Sequence, residues 1–302
     1  MNLPAGIRVN NVQPSNMKNI LITGTSSGVG LEAALRFARN GYKVYATMRN
    51  LKKADELKEK AAAERLELEL LELDVTKAPT IEQAVETVIE RDGKIDVLLN
   101  NAGAGFAKTL EQTSAEEIMW VTDVNYLGVV RVTQAVLPHM RRAGAGRVIS
   151  VSSVGGLVGQ PFNELYCGAK FAVEGFTEAL ASYLTAPFGI HFSVVEPGGI
   201  ATAFSDNAVA KMTANDGSMP TGPYEPIFHQ YIAKSRERAQ DPAIKVFQTA
   251  GEVADVILEV ATAPNPPLRV RTSAWAEELC ALKTANDPDG TKLVEKVKAD
   301  FL

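Results

Sequence analysis

Short apolar runs recur along this chain and alternate with segments of helical spacing. Most runs lack strict alternation with polar residues, as expected of strands that helices cover on both faces. The last run follows a further helical segment at 251–263. The predicted strands are 19–23, 43–47, 68–73, 95–100, 147–152, 191–196 and 268–272.

The segments between the runs place apolar residues at the spacing of amphipathic helices. Repeated strand–helix units force parallel pairing with right-handed crossovers. The pattern therefore predicts an α/β fold, with a doubly wound parallel sheet of about seven strands in a single domain. The other predicted helices are 29–40, 51–65, 80–91, 115–142 and 164–187.

One region interrupts this alternation of strands and helices. Residues 199–226 are rich in Gly, Pro, Asn and small residues, and long irregular insertions in compact domains are usually functional or mobile. The region follows the carboxyl end of a predicted strand, where open α/β sheets bind ligands. We predict a substrate lid at about 199–240, with a passive surface loop as the alternative. Its apolar residues, among them Phe204 and Met212, favour a large hydrophobic substrate over a small polar one.

The ends of the chain differ from its middle. Residues 1–17 lack the charged-then-apolar plan of a secretory signal, and we predict a disordered or vector-derived extension. Residues 18–275 form the predicted domain. Residues 276–302 are predicted to be a C-terminal helical tail.

Composition narrows the functional classes. The chain carries 31 Lys and Arg against 36 Asp and Glu, a net charge of −5, so nothing indicates nucleic-acid binding. Its two cysteines, Cys167 and Cys280, have no metal-ligand spacing and are typical of a reducing compartment. No apolar run reaches the ~18 residues of a membrane span. We therefore predict a soluble, cytoplasmic protein without a metal site.

A glycine-rich turn follows the first predicted strand. In the stretch TGTSSGVG, Gly24, Gly28 and Gly30 allow a tight turn and the close approach of a pyrophosphate to a helix N-terminus. Where a site for NAD places an acidic residue, this chain has Arg49, which suits a 2′-phosphate. A surface arginine is the alternative. The turn predicts a Rossmann-type dinucleotide site that favours NADP(H) over NAD(H).

Two further strand ends adjoin this predicted site. Asp74 ends the third strand and is placed to accept from the adenine amino group. Asn101 and Gly103 end the fourth strand, where the chain must pass close to the adenosine half of the cofactor.

The fifth strand leads to the candidate chemistry. Ser153 follows it, and Tyr166 and Lys170 lie four residues apart on one predicted helix face. A ketone that accepts hydride needs a proton donor at its oxygen. Tyr166 is the predicted general acid/base, and Lys170 is expected to lower its pKa from ~10 towards neutrality. Ser153 would hold the reacting oxygen, and Asn125 would anchor a water that passes protons to Lys170.

Together these motifs resemble the short-chain dehydrogenase/reductase family across roughly residues 18–275. The order and spacing of TGTSSGVG, NNAG, Asn125, Ser153, YCGAK and PGGIAT match that family. The resemblance implies a catalytic tetrad of Asn125, Ser153, Tyr166 and Lys170, and a contact from Thr202 to the cofactor carboxamide. The full set of predicted cofactor contacts is Gly24, Thr25, Ser26, Ser27, Gly28, Val29, Gly30, Arg49, Asp74, Val75, Asn101, Ala102, Gly103, Tyr166, Lys170, Pro197, Gly198, Ile200 and Thr202.

Within the family, the chain is most similar to the branch of 17β-hydroxysteroid dehydrogenase type 1 and the retinol dehydrogenases. That similarity implies an NADP(H)-dependent carbonyl reductase or alcohol dehydrogenase for a bulky steroid-, retinoid- or lipid-like compound. The positions that grip the far hydroxyl in estrogen-specific members fall at Lys234 and Ala274, which makes an estrogen substrate doubtful. The predicted substrate-pocket residues are Gly155, Phe162, Phe204, Met212 and Lys234.

The resemblance also implies self-association. Family members commonly pair the helices at 115–142 and 164–187 into a four-helix bundle, so we expect a homodimer or homotetramer. Two other functions stay open: a dinucleotide-binding sensor or scaffold without turnover, and an epimerase or dehydratase on the same fold. The intact Ser153, Tyr166 and Lys170 set favours the oxidoreductase.

Overall fold

A parallel sheet forms the centre of the protein. The computed structural model describes residues 17–201, 222–240 and 245–301, and within them the main sheet has seven strands. Its spatial order is β3-β2-β1-β4-β5-β6-β9, and every pairing is parallel. The strands are β1 (Asn19–Thr23), β2 (Lys43–Met48), β3 (Leu68–Glu72), β4 (Val97–Asn100), β5 (Gly146–Val151), β6 (Ile190–Glu196) and β9 (Arg269–Arg271). A separate small pair joins β7 (Gly199–Ile200) to β8 (Phe247–Gln248).

Helices cover both faces of this sheet. They are α1 (Gly28–Arg39), α2 (Asp55–Ala63), α3 (Ala78–Asp92), α4 (Ala115–Thr122), α5 (Gly128–Ala143), α6 (Glu164–Phe188), α7 (Glu225–Gln240), α8 (Ala250–Thr262), α9 (Ala274–Thr284) and α10 (Thr291–Phe301). Helices α1 and α8 pack on one face, and α3, α5 and α6 pack on the other. The predicted single-domain, doubly wound sheet is confirmed.

The two faces explain the missing polar alternation. Along β1, Ile20 and Ile22 point into one core and Leu21 points into the other, and all three are fully buried. Successive side chains of a strand face opposite sides. Burying each such side chain contributes about 1.5–3 kcal/mol. A strand with two covered faces therefore needs apolar residues at consecutive positions.

The strand order places a crevice at the carboxyl edge of the sheet. β1 pairs with β2 on one side and with β4 on the other, so the connections leave in opposite directions there. Ligands of open α/β sheets bind at such a switch point. The ends of β1, β4 and β5 all open onto it.

The structure differs from the prediction in two regions. The helix predicted over 115–142 is interrupted by a π-helical turn at 123–127, which separates α4 from α5. Residues 199–226 were expected to be irregular, but Gly199–Ile200 form strand β7 and helix α7 begins at Glu225. The predicted lid contacts Phe204 and Met212 lie outside the described residues, as does the extension before Met17.

The C-terminal region consists of two helices. α9 begins at Ala274, and α10 packs against α6. Among the helices that the structure describes, none combines the length and the apolar composition needed to cross a membrane.

Candidate active site

The glycine-rich turn after β1 is closed by contacts that exclude larger side chains. Gly24 has a φ of +74°, which favours glycine. A Cβ atom placed on Gly30 would lie 2.2 Å from the Gly24 carbonyl oxygen and 2.4 Å from Asn101 Nδ2. Asn101 donates that amide to the carbonyls of Thr23 at 2.9 Å and Gly24 at 3.0 Å. The turn, the start of α1 and the end of β4 are therefore locked together.

The N-terminus of α1 faces the crevice. Ser27 precedes the helix in an extended conformation, and in the described chain its side chain makes no capping hydrogen bond. The first amides of α1 therefore remain available to an anion, which the helix dipole also attracts. Thr25 has a different role, since its buried hydroxyl and its amide both donate to the Thr47 carbonyl. Half-buried Ser26 and Val29 complete the turn.

Arg49 and Asp74 lie at the neighbouring strand ends. Arg49 is exposed directly after β2, and Asp74 is half-buried after β3. Partial burial acts to raise the pKa of Asp74, but hydrogen bonds from Thr76 and the charges of Lys77 and Arg49 outweigh it and lower the pKa. Asp74 is therefore an ionised acceptor beside an exposed guanidinium.

Val75 and the NNAG segment border the same crevice. A Cβ on Gly128 would lie 2.8 Å from a methyl carbon of Val75, so Val75 packs directly on the start of α5. The amides of Asn101 and Ala102 both donate to the Thr23 hydroxyl at 3.0 Å. This bends the chain across the end of β1.

Ser153 and Tyr166 meet after β5. Their hydroxyl groups share a hydrogen bond, and Ser153 Oγ also accepts the Gly155 amide at 3.0 Å. A Cβ on Gly155 would approach both residues, at 3.4 Å from Ser153 Oγ and 3.5 Å from a Tyr166 ring carbon. Gly155, a predicted pocket residue, thus lies directly beside Ser153 and Tyr166.

Lys170 is buried one helical turn after Tyr166. Its side chain is 4% exposed, and its Nζ donates to the Val151 carbonyl at 2.8 Å. The same atom lies 5.7 Å from the centre of the Tyr166 ring. A Cβ on Gly103 would lie 3.7 Å from Lys170 Nζ and 3.1 Å from Asn125 Oδ1. The four predicted site residues Gly103, Asn125, Tyr166 and Lys170 therefore lie close together.

Asn125 lies in the π-helical turn and is fully buried. Its Oδ1 accepts the Ala104 amide at 2.9 Å, and its Nδ2 donates to the carbonyls of Ala104 at 3.0 Å and Val121 at 3.1 Å. The side chain thus pairs with the segment after β4 and with the carbonyl four residues before it. Such turns often mark functional positions in helices.

The pKa directions correct one expectation. Burial raises the pKa of Tyr166, and the hydrogen bond with Ser153 only partly opposes it. Burial also lowers the pKa of Lys170 to about 8. The expected net shift of the Tyr166 pKa towards neutrality is therefore wrong for the protein groups alone, because burial sets the direction of the shift. Tyr166 is a protonated donor near neutral pH.

The segment after β6 closes the site from the other side. The Pro197 carbonyl accepts the Val154 amide at 2.9 Å, which ties this segment to the residue after Ser153. A Cβ on Gly198 would lie 2.8 Å from the Trp275 ring. Ile200 lies in β7 and is half-buried. Thr202, the predicted carboxamide contact, lies outside the described residues.

An aromatic cluster adjoins the site. Phe162 packs edge-on against Phe228 and Tyr231 of α7, with ring centres 5.3 and 5.4 Å apart. Phe162 has a φ of +63°, and its carbonyl accepts the Lys108 amide at 2.8 Å. Such strain in a non-glycine residue is typical of functional segments. Lys234, on the same helix, is exposed and lies 3.1 Å from Glu237.

Sequence reasoning missed the two aromatic residues of α7 and Trp275. A signal for the first two was present, since Phe228, Tyr231 and Ile232 have the spacing of one helix face. Trp275 has no comparable signal, because its contact with Gly198 joins distant segments.

Comparison with known proteins gives the family. The family model described as short chain dehydrogenase matches residues 18–213. The chain belongs to the short-chain dehydrogenase family. Members of this family are oxidoreductases that bind a nicotinamide cofactor, and the chain is an enzyme of that class.

Curated relatives and a solved structure agree with this family. The chain is 41% identical to human 17-beta-hydroxysteroid dehydrogenase type 1, over 91% of this chain and 83% of that protein. It is 40% identical to bovine retinol dehydrogenase 8, over 92% of this chain and 88% of that protein. An actinorhodin polyketide ketoreductase variant with NADPH shares 29% identity and a TM-score of 0.72, over 86% of this chain and 97% of that one. The predicted family and branch are confirmed.

Proposed function

We propose that this protein is an NADP(H)-dependent oxidoreductase that interconverts a bulky hydrophobic ketone or aldehyde and its alcohol. The observation that carries the proposal is the hydrogen-bonded Ser153–Tyr166 pair, with the ammonium of Lys170 buried one turn along α6. Two hydroxyls that open onto a cofactor crevice suit a carbonyl oxygen that must be held and protonated.

Tyr166 is the proton donor in this mechanism. A nicotinamide cofactor held by the glycine-rich turn and by Lys170 would supply the hydride to the carbonyl carbon. Ser153 donates a hydrogen bond to the carbonyl oxygen and orients it, and Tyr166 transfers its proton to that oxygen. The raised pKa of Tyr166 supports the donor role, because the group stays protonated until the oxygen becomes basic. Alcohol oxidation runs through the same residues in reverse.

Lys170 and Asn125 support the proton transfer. The charge of Lys170 stabilises the phenolate that remains on Tyr166, and its ammonium also binds the nicotinamide ribose hydroxyls. Asn125 anchors a water that passes protons to Lys170. Their shared approach to Gly103 supports this pairing.

The crevice fits a dinucleotide. The close approach of Gly24, Gly30 and Asn101 gives a side-chain-free surface, and the amides of α1 provide the anion site. NADP(H) is favoured because exposed Arg49 follows β2, where the 2′-phosphate would bind.

We expect Arg49→Asp to reverse the preference between NADPH and NADH. The carboxylate repels the 2′-phosphate and can accept from a 2′-hydroxyl instead. Loss of a charge-assisted hydrogen bond of ~1.5–3 kcal/mol predicts a change of roughly 10–100-fold in the kcat/KM ratio of the cofactors. Lys58→Asp, on α2, is the control with the same charge change. An unaltered ratio in the Arg49 variant would show that this residue does not read the phosphate.

A large apolar substrate is the proposed class. Phe162, four residues before Tyr166, packs with Phe228 and Tyr231 in an apolar cluster, which supports a ring-containing or lipid-like carbonyl compound. Two relatives are named for steroid and retinol oxidoreduction. These observations favour steroid-, retinoid- or lipid-like carbonyls over sugars.

The direct test is a steady-state panel of ketones, aldehydes and alcohols with NADPH, NADH and their oxidised forms. We expect the highest kcat/KM for bulky apolar carbonyls with NADPH. Cofactor binding without turnover of any compound would instead support the sensor alternative. A preference for small polar carbonyls would overturn the substrate class.

We also propose that the enzyme self-associates through α5 and α6, as the family resemblance implies. A groove of about 340 Å³ lies between these helices, and its lining includes Leu137, Phe176 and Tyr183. Tyr183 is 47% exposed although it is a large aromatic residue. Apolar surface of this kind is typical of interaction sites.

Tyr183→Asp is expected to shift the protein to monomers, because it places a charge in that apolar groove. Sedimentation velocity at micromolar concentration measures the change, and Leu51→Asp on another surface is the control. A wild-type protein that sediments only as a 32.4 kDa species would refute self-association.

A further inference from the structure

Two carboxyl groups are buried together behind the site. Glu196, the last residue of β6, is fully buried, and Glu174 of α6 is 8% exposed. Glu174 lies four residues after Lys170 and therefore one turn along the same helix face. The proposed reaction uses neither carboxyl group.

The two groups share a hydrogen bond, which requires a proton between them. Within the described residues, no donor reaches Glu174 Oε1 or Glu196 Oε1. Glu196 Oε2 lies 3.0 Å from Arg271 Nη1, so this carboxylate already has its counter-ion. Burial, followed by the charge of Glu196, raises the pKa of Glu174 well above its usual value. The proton therefore belongs to Glu174, which donates to the Glu196 carboxylate.

Charged and titratable groups face this pair from several elements. Besides the pair itself, these groups are Lys170 of α6, Arg269 and Arg271 of β9, and Glu277 and Cys280 of α9. The lysine and the two arginines make positive charge predominate around the single negative charge that the pair keeps.

The pair touches the segments that carry the chemistry. Glu174 lies beside the Ser152 hydroxyl, and within the described residues Ser152 Oγ, like Glu174 Oε1, has no hydrogen-bond partner. A Cβ on Gly156 would lie 2.5 Å from Ser152 Oγ and 2.9 Å from Glu174 Oε1, so the loop around Ser153 rests on this carboxyl group. Glu196 directly precedes Pro197, whose carbonyl binds the Val154 amide. The Ser153 loop, helix α6 and the segment after β6 therefore meet at the pair.

We propose that Glu174 and Glu196 hold one shared proton and act as a single positioning unit for Ser153, Tyr166 and Lys170. Arg271 connects the unit to the C-terminal helices, since it also binds Glu277 Oε2 at 2.7 Å and the Pro288 carbonyl at 2.7 Å. The kinetic part of this inference rests on the proposed function. The shared proton does not, and it is tested separately.

Unfolding across pH tests the proton on Glu174. In the folded state the carboxyl keeps its proton above ~4.3, where the unfolded chain loses it. Wild-type stability should therefore fall relative to Glu174→Gln as pH rises from ~4.3 to the folded-state pKa, by about tenfold in the unfolding constant per pH unit. Urea unfolding between pH 5 and pH 8 measures this difference and needs no substrate.

Glu178→Gln is the matched control, because Glu178 is a half-buried carboxyl one turn further along α6. Its stability difference from wild type is expected to depend on pH less than that of Glu174→Gln, and its kcat is expected to stay at the wild-type level. A pH-independent difference between wild type and Glu174→Gln would overturn the shared proton.

Kinetics then test the positioning role. Glutamine can donate to Glu196 and keeps a polar atom beside Ser152, so Glu174→Gln should keep kcat within about threefold of wild type at pH 7. Glu174→Leu fills similar volume without these polar atoms, and we expect kcat to fall about 10–100-fold with little change in the NADPH KM, since small misplacements of reacting groups cost this much. Equal kcat in the Gln and Leu variants would refute positioning while leaving the proposed function intact.

Discussion

Tyr166→Phe is expected to lower kcat by about 10²–10⁴-fold, the usual contribution of a general acid or base. The substitution removes only the hydroxyl that shares a hydrogen bond with Ser153. The ring, its packing and the burial of Lys170 remain. NADPH affinity should therefore stay close to wild type, because only the proton-transfer group is lost.

Single-turnover reduction with NADPH in excess separates this effect from binding, and fluorescence titration gives the cofactor affinity. Ser153→Ala is the comparison variant, since it removes the second hydroxyl and leaves the proton donor in place. We expect a smaller loss there. If Tyr166→Phe keeps more than about a tenth of wild-type kcat, Tyr166 is not the acid.

The fold was predictable because burial requires apolar residues in a pattern that can be read from the sequence. Strands such as β1 have apolar residues at consecutive positions, and each face packs against its own helix layer. The π-helical turn at 123–127 left no such pattern, because it depends on Asn125 reaching the Ala104 segment across the site. Periodicity along one helix cannot report that contact.

The proximity of the predicted side chains could be inferred from the sequence, and their electrostatics less so. The four-residue spacing placed Tyr166 and Lys170 on one helix face, which the structure also shows. Spacing does not reveal how deeply each group is desolvated, so the direction of the Tyr166 pKa was wrong. The unusual charge state of Glu174 could not be predicted for the same reason. In the sequence it is an ordinary helical glutamate, and only its burial against Glu196 gives it a special charge state.

Lys170→Met is expected to impair both catalysis and cofactor binding. The loss of the ammonium removes the charge that stabilises the Tyr166 phenolate, so kcat should fall about 100-fold or more. Loss of the bonds to the ribose hydroxyls should weaken NADPH binding about tenfold. A variant with normal NADPH affinity would contradict the ribose contact.

The pH dependence of activity is expected to identify the charged form of Lys170 as the active one. Its pKa is lowered to about 8 by burial, so the side chain is protonated below that pH and loses its charge above it. We expect kcat/KM for carbonyl reduction by the wild type to decline as pH rises through about 8, since this parameter reports ionisations of the free enzyme. Tyr166 cannot cause that decline, because burial keeps its pKa higher.

Stability distinguishes this loss of activity from unfolding. A pKa lowered to about 8 from ~10.4 means that the buried ammonium costs about 3 kcal/mol at pH 7, where it stays protonated. Methionine removes that cost but leaves the Val151 carbonyl without its donor, at ~1–3 kcal/mol. The free energy of unfolding of the Lys170→Met protein should therefore lie within a few kcal/mol of the wild-type value at pH 7. As pH rises from 8 towards 10, the wild type should become more stable relative to the variant. An inactive variant with this stability profile supports a catalytic lysine, whereas a variant that is unfolded at pH 7 would show that Lys170 is needed for the fold itself.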